Sequence, residues 1–211
     1  MGARRETRAR MVTGAAMLLR EKGVRGTTVG AVLERTGGPR GSVGFHFPGG
    51  RTQLLTEALR EAGDGVTAHL QEQAKGGASP AEVFAGLCDH YTRQLESSDF
   101  VAGCPVWAVV QEAPDEPDLG PLARAIVEAW AVALLPTPEA GARHATSPVP
   151  EEVAQHATSP VPEEVAQRPS RRDLATYAIA SLEGAITLAR LQRSTRPIAL
   201  VREQVAPLLA A

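Results

Sequence analysis

An all-α fold is predicted for this chain by three features of its sequence. Apolar residues recur at the three- and four-residue spacing of amphipathic helices, glycine and proline cut those runs into segments, and no segment alternates apolar with polar residues as a half-buried strand does. The first segment, residues 3–22, carries Met11, Val12, Ala15, Leu18 and Leu19 on one face. Lys22 and Gly23 end it, the lysine suiting the negative helix end and the glycine free to turn left-handed. Thr27 and Thr28 offer N-cap hydroxyls to a short helix with Val29, Val32 and Leu33 on its stripe, stopped at Gly37 and Gly38. Pro39 suits the first position of a third helix over residues 39–45, where its missing N–H costs nothing. Pro48, Gly49 and Gly50 break that helix, and Arg51 opens a long one through Leu54, Leu55, Ala58, Leu59, Ala62, Val66 and Leu70.

The remainder reads as helices too. Pro80 opens one with Val83, Phe84, Leu87, Cys88, Tyr91 and Leu95, and a short one follows Pro105 as far as Gln111 and Glu112. Residues 122–135 carry Ile126, Val127, Trp130 and Leu134 on one face. Residues 171–190 form a long helix rich in small residues, and Pro197 starts the last, with Ile198, Val201, Val205, Leu208 and Leu209. Between them lies a duplication: HATSPVPEEVAQ at 144–155 recurs unchanged at 156–167. Pro148, Pro150, Pro160 and Pro162 forbid one continuous helix there, so 136–169 is expected to be a long flexible loop.

The composition, 43% hydrophobic and 22% charged over 211 residues, is that of an ordinary globular protein. Two cysteines make no disulfide framework, and no apolar run approaches the length that spans a bilayer, so a cytoplasmic protein with no membrane association is expected. The net charge of −2 hides an asymmetry. Residues 1–60 hold eleven Arg or Lys against four Asp or Glu, and the rest holds eleven against twenty. A basic front end on an acidic body is the footprint of a polyanion-binding head. The Gly-rich stretch at 36–55 is not a phosphate-binding P-loop, because Phe45 stands where that motif's first glycine belongs and a helix, not a strand, precedes it. His69, Cys88, Asp89, His90, Cys104 and Glu112 have neither metal-ligand nor triad spacing, so no enzyme, metal or cofactor is implied. Three short helices with Gly-containing turns ahead of a long helix are the layout of a helix-turn-helix head.

The segments AAMLLREKGVRGTTVGAVLERTGG and RGSVGFHFPGGRTQLLTEAL, within residues 7–60, resemble the N-terminal domain of TetR-family transcriptional repressors. The Pro48–Gly49–Gly50 insert and Gly103–Cys104–Pro105 are similar to the subgroup holding lincomycin-resistance and flavonoid-responsive repressors. The resemblance implies a DNA-binding head over 1–50 and an effector-binding and dimerisation body over 51–211. It implies a homodimer on a palindromic double-stranded operator, released by a small-molecule effector. Control by a partner protein in place of a small ligand is the alternative. The sequence departs from the family at Gly44, where a DNA-contacting tyrosine is usual, and at Gly38–Pro39.

Arg40 is long, forked and cationic, fit for guanine in the major groove or for a phosphate. Gly41 lets backbone approach DNA, Ser42 can donate to base or phosphate, and Val43 serves either contact or packing. Thr27 and Thr28 resemble the family's phosphate contact at a helix N-terminus, with plain capping the other reading. His46 and Arg51 are candidate phosphate contacts, Arg4, Arg5, Arg8 and Arg10 a candidate arm, and Phe47 a core residue. By the same resemblance the helices over 51–135 enclose an effector pocket. Phe84, Cys88, Tyr91, Cys104, Trp107, Gln111 and Trp130 are its candidate lining, since aromatics with few polar groups suit flat apolar ligands; each is also a candidate for plain core. The small-residue face of 171–191, with 197–209, is expected to pair with its symmetry mate, ordinary packing within the chain being the rival.

Overall fold

The computed structural model of the chain describes residues 2–39, 41–112, 116–135 and 169–210. Its helices run α1 (Gly2–Gly26), α2 (Val29–Thr36), α3 (Ser42–His46), α4 (Gly50–Lys75), α5 (Pro80–Ser97), α6 (Pro105–Glu112), α7 (Gly120–Ala133), α8 (Arg171–Gln192) and α9 (Arg196–Ala210). No strand occurs among the described residues. The duplicated segment lies outside them.

Helix ends follow local chemistry. Thr28 is the N-cap of α2, its hydroxyl accepting from the Ala31 amide at 3.1 Å, and Gly37 closes that helix in the left-handed region at φ 66°. Ser79 and Glu82 form a capping box at α5, and Ser170 and Asp173 form another at α8. Two boundaries differ from the sequence expectation. α1 does not stop at Gly23 but breaks there, at φ 69° and ψ −173°, and resumes for one turn. α3 starts at Ser42 and not at Pro39, because Gly41 precedes it at φ 85°, a geometry that no helix passes through. The Pro39 carbonyl instead accepts from both the amide (3.1 Å) and the hydroxyl (2.6 Å) of Ser42, closing a turn.

α1, α2 and α3 pack on the start of α4 around Met11, Leu18, Leu19, Val32, Val43, Phe47, Leu54 and Leu55, all buried. α4 and α7 approach closely at Gly63, where a Cβ would stand 2.4 Å from Ile126 Cδ1. Trp130 lies in the same contact, its indole N–H donating to Thr67 Oγ1 at 3.0 Å. α5 packs on α8 and α9. The alanines of α8 expected at an intermolecular face, Ala175, Ala178, Ala185 and Ala189, are buried within the chain instead. The outward side of α8 carries Tyr177, Leu188 and Leu191, the last 80% exposed.

Candidate nucleic-acid interface and effector site

The helix-turn-helix presents a short α3 with two distinct sides. Val43 (4% exposed) and, just past its end, Phe47 (0%) anchor it to the core, which makes Val43 a packing residue. On the other side Gly44 and Phe45 face solvent, Phe45 at 60%, and a Cβ at Gly44 would meet nothing within 4 Å. The Arg4 guanidinium sits 4.3 Å from the centroid of the Phe45 ring and that of Arg8 4.9 Å from Phe47, so the N-terminal arginines flank α3. Arg8 also pairs with Glu57 at 2.5 Å. His46 is half-buried between the rings of Phe45 and Phe47. Ser42 remains at the helix start, its hydroxyl donated to the Pro39 carbonyl. Arg40 lies outside the described residues. Exposed Phe45 is the surface feature that the sequence reading passed over; an aromatic beside a glycine on the outward side of a recognition helix was its available signal.

Thr27, Thr28 and Arg51 divide differently from expectation. Thr28 is exposed at the N-terminus of α2, where hydroxyl and free amides meet solvent together. Thr27 is fully buried and donates to the Gly23 carbonyl at 2.7 Å. Arg51 turns inward: Nη2 donates to the Val24 carbonyl (2.5 Å), Nε to the Thr27 carbonyl (3.1 Å), and Nη1 pairs with Glu116 (3.3 Å). Both carbonyls lie between the break in α1 and the start of α2, where the Val24 carbonyl also accepts from the Thr27 amide at 3.1 Å, and a forked guanidinium is the side chain that reaches two of them at once.

The same break is tied to the later helices at further points. Glu112, the last residue of α6, accepts from the Val24 amide at 2.9 Å and the Arg25 amide at 3.2 Å, and pairs with the Arg25 side chain at 3.6 Å. The carboxylate thus acts as an N-cap supplied from a distant helix to the resumed turn of α1. The Gly103 amide donates to the Arg20 carbonyl at 2.8 Å, and Arg190 of α8 to the Glu21 carbonyl at 3.3 Å. Glu21 itself forms a two-point pair with Arg35 of α2 at 2.7 Å, which holds its carboxyl below the ordinary range. Neither Glu112 nor Arg190 was singled out from sequence for this role.

The candidate effector residues separate into two groups. Phe84, Cys88, Tyr91 and Trp130 are buried in the core, and none of them lines the three cavities described below. The Tyr91 hydroxyl and Cys104 Sγ are 3.1 Å apart, and burial pushes both groups well up; burial also pushes the Cys88 thiol up to about 12. Cys104, Trp107 and Gln111 line a cavity of about 280 Å³ between α1, α6 and α8. Trp107 also borders a second, of about 270 Å³, with residues of α7, and an open groove lies between α1 and α4. Among the described residues no group of His, Cys, Asp or Glu is placed to hold a metal, and no helix is long and apolar enough to cross a membrane.

A solvent-facing recognition helix on a basic three-helix head, joined to a larger helical body, defines a helix-turn-helix transcriptional regulator. Comparison with known proteins agrees. The chain is 41% identical over 205 residues to an uncharacterised HTH-type transcriptional regulator of Mycobacterium tuberculosis, covering 97% of this chain and 94% of that one. It is 26% identical over 107 residues to the HTH-type transcriptional regulator LmrA of Bacillus subtilis, about half of each chain (51% and 57%). A TetR transcriptional regulator from Chloroflexus aurantiacus superposes with a TM-score of 0.74 at 25% identity, over 100% of this chain and 97% of that one. The regulatory protein TetR from Rhodobacter sphaeroides superposes at 0.73 and 18% identity, over 94% and 96%. No family model matches the chain. The chain belongs to the TetR family of transcriptional regulators; its relatives and structural neighbours are regulators, not enzymes.

Proposed function

We propose that this protein is a cytoplasmic repressor that binds a palindromic operator as a homodimer and is released by a small effector. Residues 1–50 form the DNA-binding head and 51–211 the effector-binding and dimerisation body. The observation that carries the reading is the outward side of α3. Gly44 and Phe45 stand clear of the core, N-terminal arginines flank them, Thr28 is exposed at the start of α2, and the back of the helix is locked by Val43 and Phe47. Phe45 offers an apolar contact to a thymine methyl, and the arginines and the α2 N-terminus hold phosphates on either side. Ser42, Gly41 and His46 belong to the same surface, and Arg40, outside the described residues, is proposed as a DNA contact from its chemistry. Arg51 acts at one remove, by fixing the α1–α2 turn to α4. Dimerisation is supported by the stripe of Tyr177, Gly184, Leu188 and Leu191 on α8 with Leu200 and Leu208 on α9, which is exposed among the described residues.

In a dimer the two heads must sit about one DNA turn, ~34–36 Å, apart to engage both half-sites. An effector that prefers a different head separation lowers operator affinity by its differential affinity for the two states. The test is fluorescence anisotropy of the protein on its own upstream intergenic DNA, against scrambled DNA, titrated with salt. Specific binding, a steep loss of affinity with salt and about tenfold weaker binding on Phe45→Ala are expected. Equal affinity for both DNAs, before and after selection of sequences from random DNA, overturns the reading.

A further inference from the structure

The cavity between α1, α6 and α8 has an internal polarity that its neighbours do not explain. Its apolar wall is Leu19, Trp107 and Ile186. Set into it is Glu183 of α8, 2% exposed, whose Oε2 has no hydrogen-bond partner. Arg20 Nε, at the same cavity, is a second buried atom without a partner. A buried acceptor and a buried donor left unmatched each carry the desolvation cost of the group. Native interiors match such groups almost everywhere, so two in one cavity mark a place where something else supplies the match.

We propose that this cavity is a binding site for a small uncharged molecule with a flat apolar body and one polar edge that donates to Glu183 and accepts from Arg20. The edge of a carboxamide or lactam has that chemistry. Charge decides against other classes. A cation would enter beside the Arg20, Lys22 and Arg190 guanidinium and ammonium groups, and an anion would face Glu183 and Glu112. Trp107 supplies a face for a planar ring, and the volume suits a one- or two-ring compound. Burial pushes the Glu183 carboxyl up to about 7, against a smaller opposing pull from the Cys104 thiol. A neutral donor is the partner that serves both forms of such a carboxyl.

The position of the cavity is what gives it consequence. Gly23 and Glu112 form part of its wall, and Glu112 is the carboxylate that caps the resumed turn of α1. A molecule lodged there touches the joint between head and body directly. This regulatory consequence rests on the reading of the protein as an effector-controlled repressor; the site itself does not.

The experiment uses the full chain and four probes of similar size: benzamide and 2-quinolinone as neutral amides, benzylamine as a cation, benzoate as an anion. Binding is read by saturation-transfer NMR and by quenching of tryptophan fluorescence, with Trp107→Phe to assign the quenched residue. The amides are expected to bind in the millimolar range or tighter and the charged probes at least about tenfold more weakly. Glu183→Met, which removes the acceptor while keeping an apolar volume, is expected to weaken the amides by about tenfold or more. Ala108→Phe, which fills the cavity from α6, is expected to abolish binding; circular dichroism checks that both variants are helical. No binding by either amide at millimolar concentration, or binding that both variants leave intact, overturns the site. Operator anisotropy separates the two readings. Amide binding that leaves operator affinity unchanged supports the site and refutes its use as the effector site. Release of operator by another compound that acts equally on Ala108→Phe keeps the repressor reading and removes this cavity from it.

Discussion

Glu183→Gln isolates the energetic signature of the buried carboxyl. In the fold this group titrates at about 7 against an ordinary 4.5, with burial as the main cause and a hydrogen bond from the Cys104 thiol opposing it. A raised folded-state value means that, between those limits, the native chain holds a proton that the unfolded chain has released. Stability therefore falls as pH rises through that window, and the full cost is present above it. The difference corresponds to roughly 3 kcal/mol at about pH 8.5 and close to nothing at about pH 4. Glutamine keeps the shape and cannot ionise. Cys104 and Tyr91, which face Glu183, are both pushed well up and stay neutral through the range, and every other titration is common to the two proteins. The assay is urea unfolding of both proteins at matched concentration, since the stability of any self-associating protein depends on it, at intervals from about pH 5 to about pH 8.5. The variant is expected to gain on the wild type with rising pH, most steeply around neutrality. A difference that does not change with pH, or that shrinks as pH rises, refutes the reasoning.

Three further outcomes are expected. Gly23→Ala places a side chain at φ 69° and ψ −173°, a region kept almost wholly for glycine, with its Cβ 2.7 Å from Glu112 Oε1; a loss of about 2–3 kcal/mol in urea unfolding is expected. Glu112→Ala leaves the Val24 and Arg25 amides uncapped, and should cost about 1 kcal/mol while raising the hydrogen exchange of those two amides above that of Met11 or Leu18. Gly63→Ala and Gly65→Ala lie on the same helix and should have opposite signs: the first drives a Cβ into Ile126 and destabilises by about 1 kcal/mol, while the second meets open space and stabilises by up to about 1 kcal/mol. Thermal unfolding of the pair checks both.

Much of the fold is legible because helix signals are local. The Thr28 cap, the Gly37 stop, the proline that opens α5 and the Leu and Ala stripes of α4 each act within a turn or two, and the structure uses them as read. The start of α3 was lost because Pro39 is as good a turn residue as a first helical residue. What decides between the two is Gly41 in the left-handed region, which the sequence leaves open. Arg51 reads as a phosphate contact because cations near a recognition helix usually face out. Its inward turn follows from the Val24 and Thr27 carbonyls, more than twenty residues earlier. The aromatic residues are poor guides to a cavity: Phe84, Tyr91 and Trp130 fill the core as large side chains do by default. The informative residue was Glu183, a lone carboxylate within the apolar run Leu182–Ile186. Such a residue is almost never fully buried without a partner, and that rule is stronger than any count of aromatics.

The break in α1 adds a set of hydrogen bonds to the packing that joins the first three helices to the rest. An unbroken helix answers its own carbonyls and amides except at its two ends. At Gly23 that self-sufficiency ends. The Arg20 carbonyl is answered by Gly103, Glu21 by Arg190, Gly23 by Thr27, Val24 by Arg51, and the Val24 and Arg25 amides by Glu112. Four of those five partners come from beyond the head: α4, the turn before α6, the end of α6, and α8. Hydrogen bonds weaken steeply once stretched or bent, so a shift of α6 or α8 by even about 1 Å must either break these bonds or carry the end of α1 with it. Breaking them leaves partly buried backbone groups without partners. A shift of α6 or α8 is therefore felt at the end of α1, because the glycine that breaks the helix opens its backbone groups to partners on those helices.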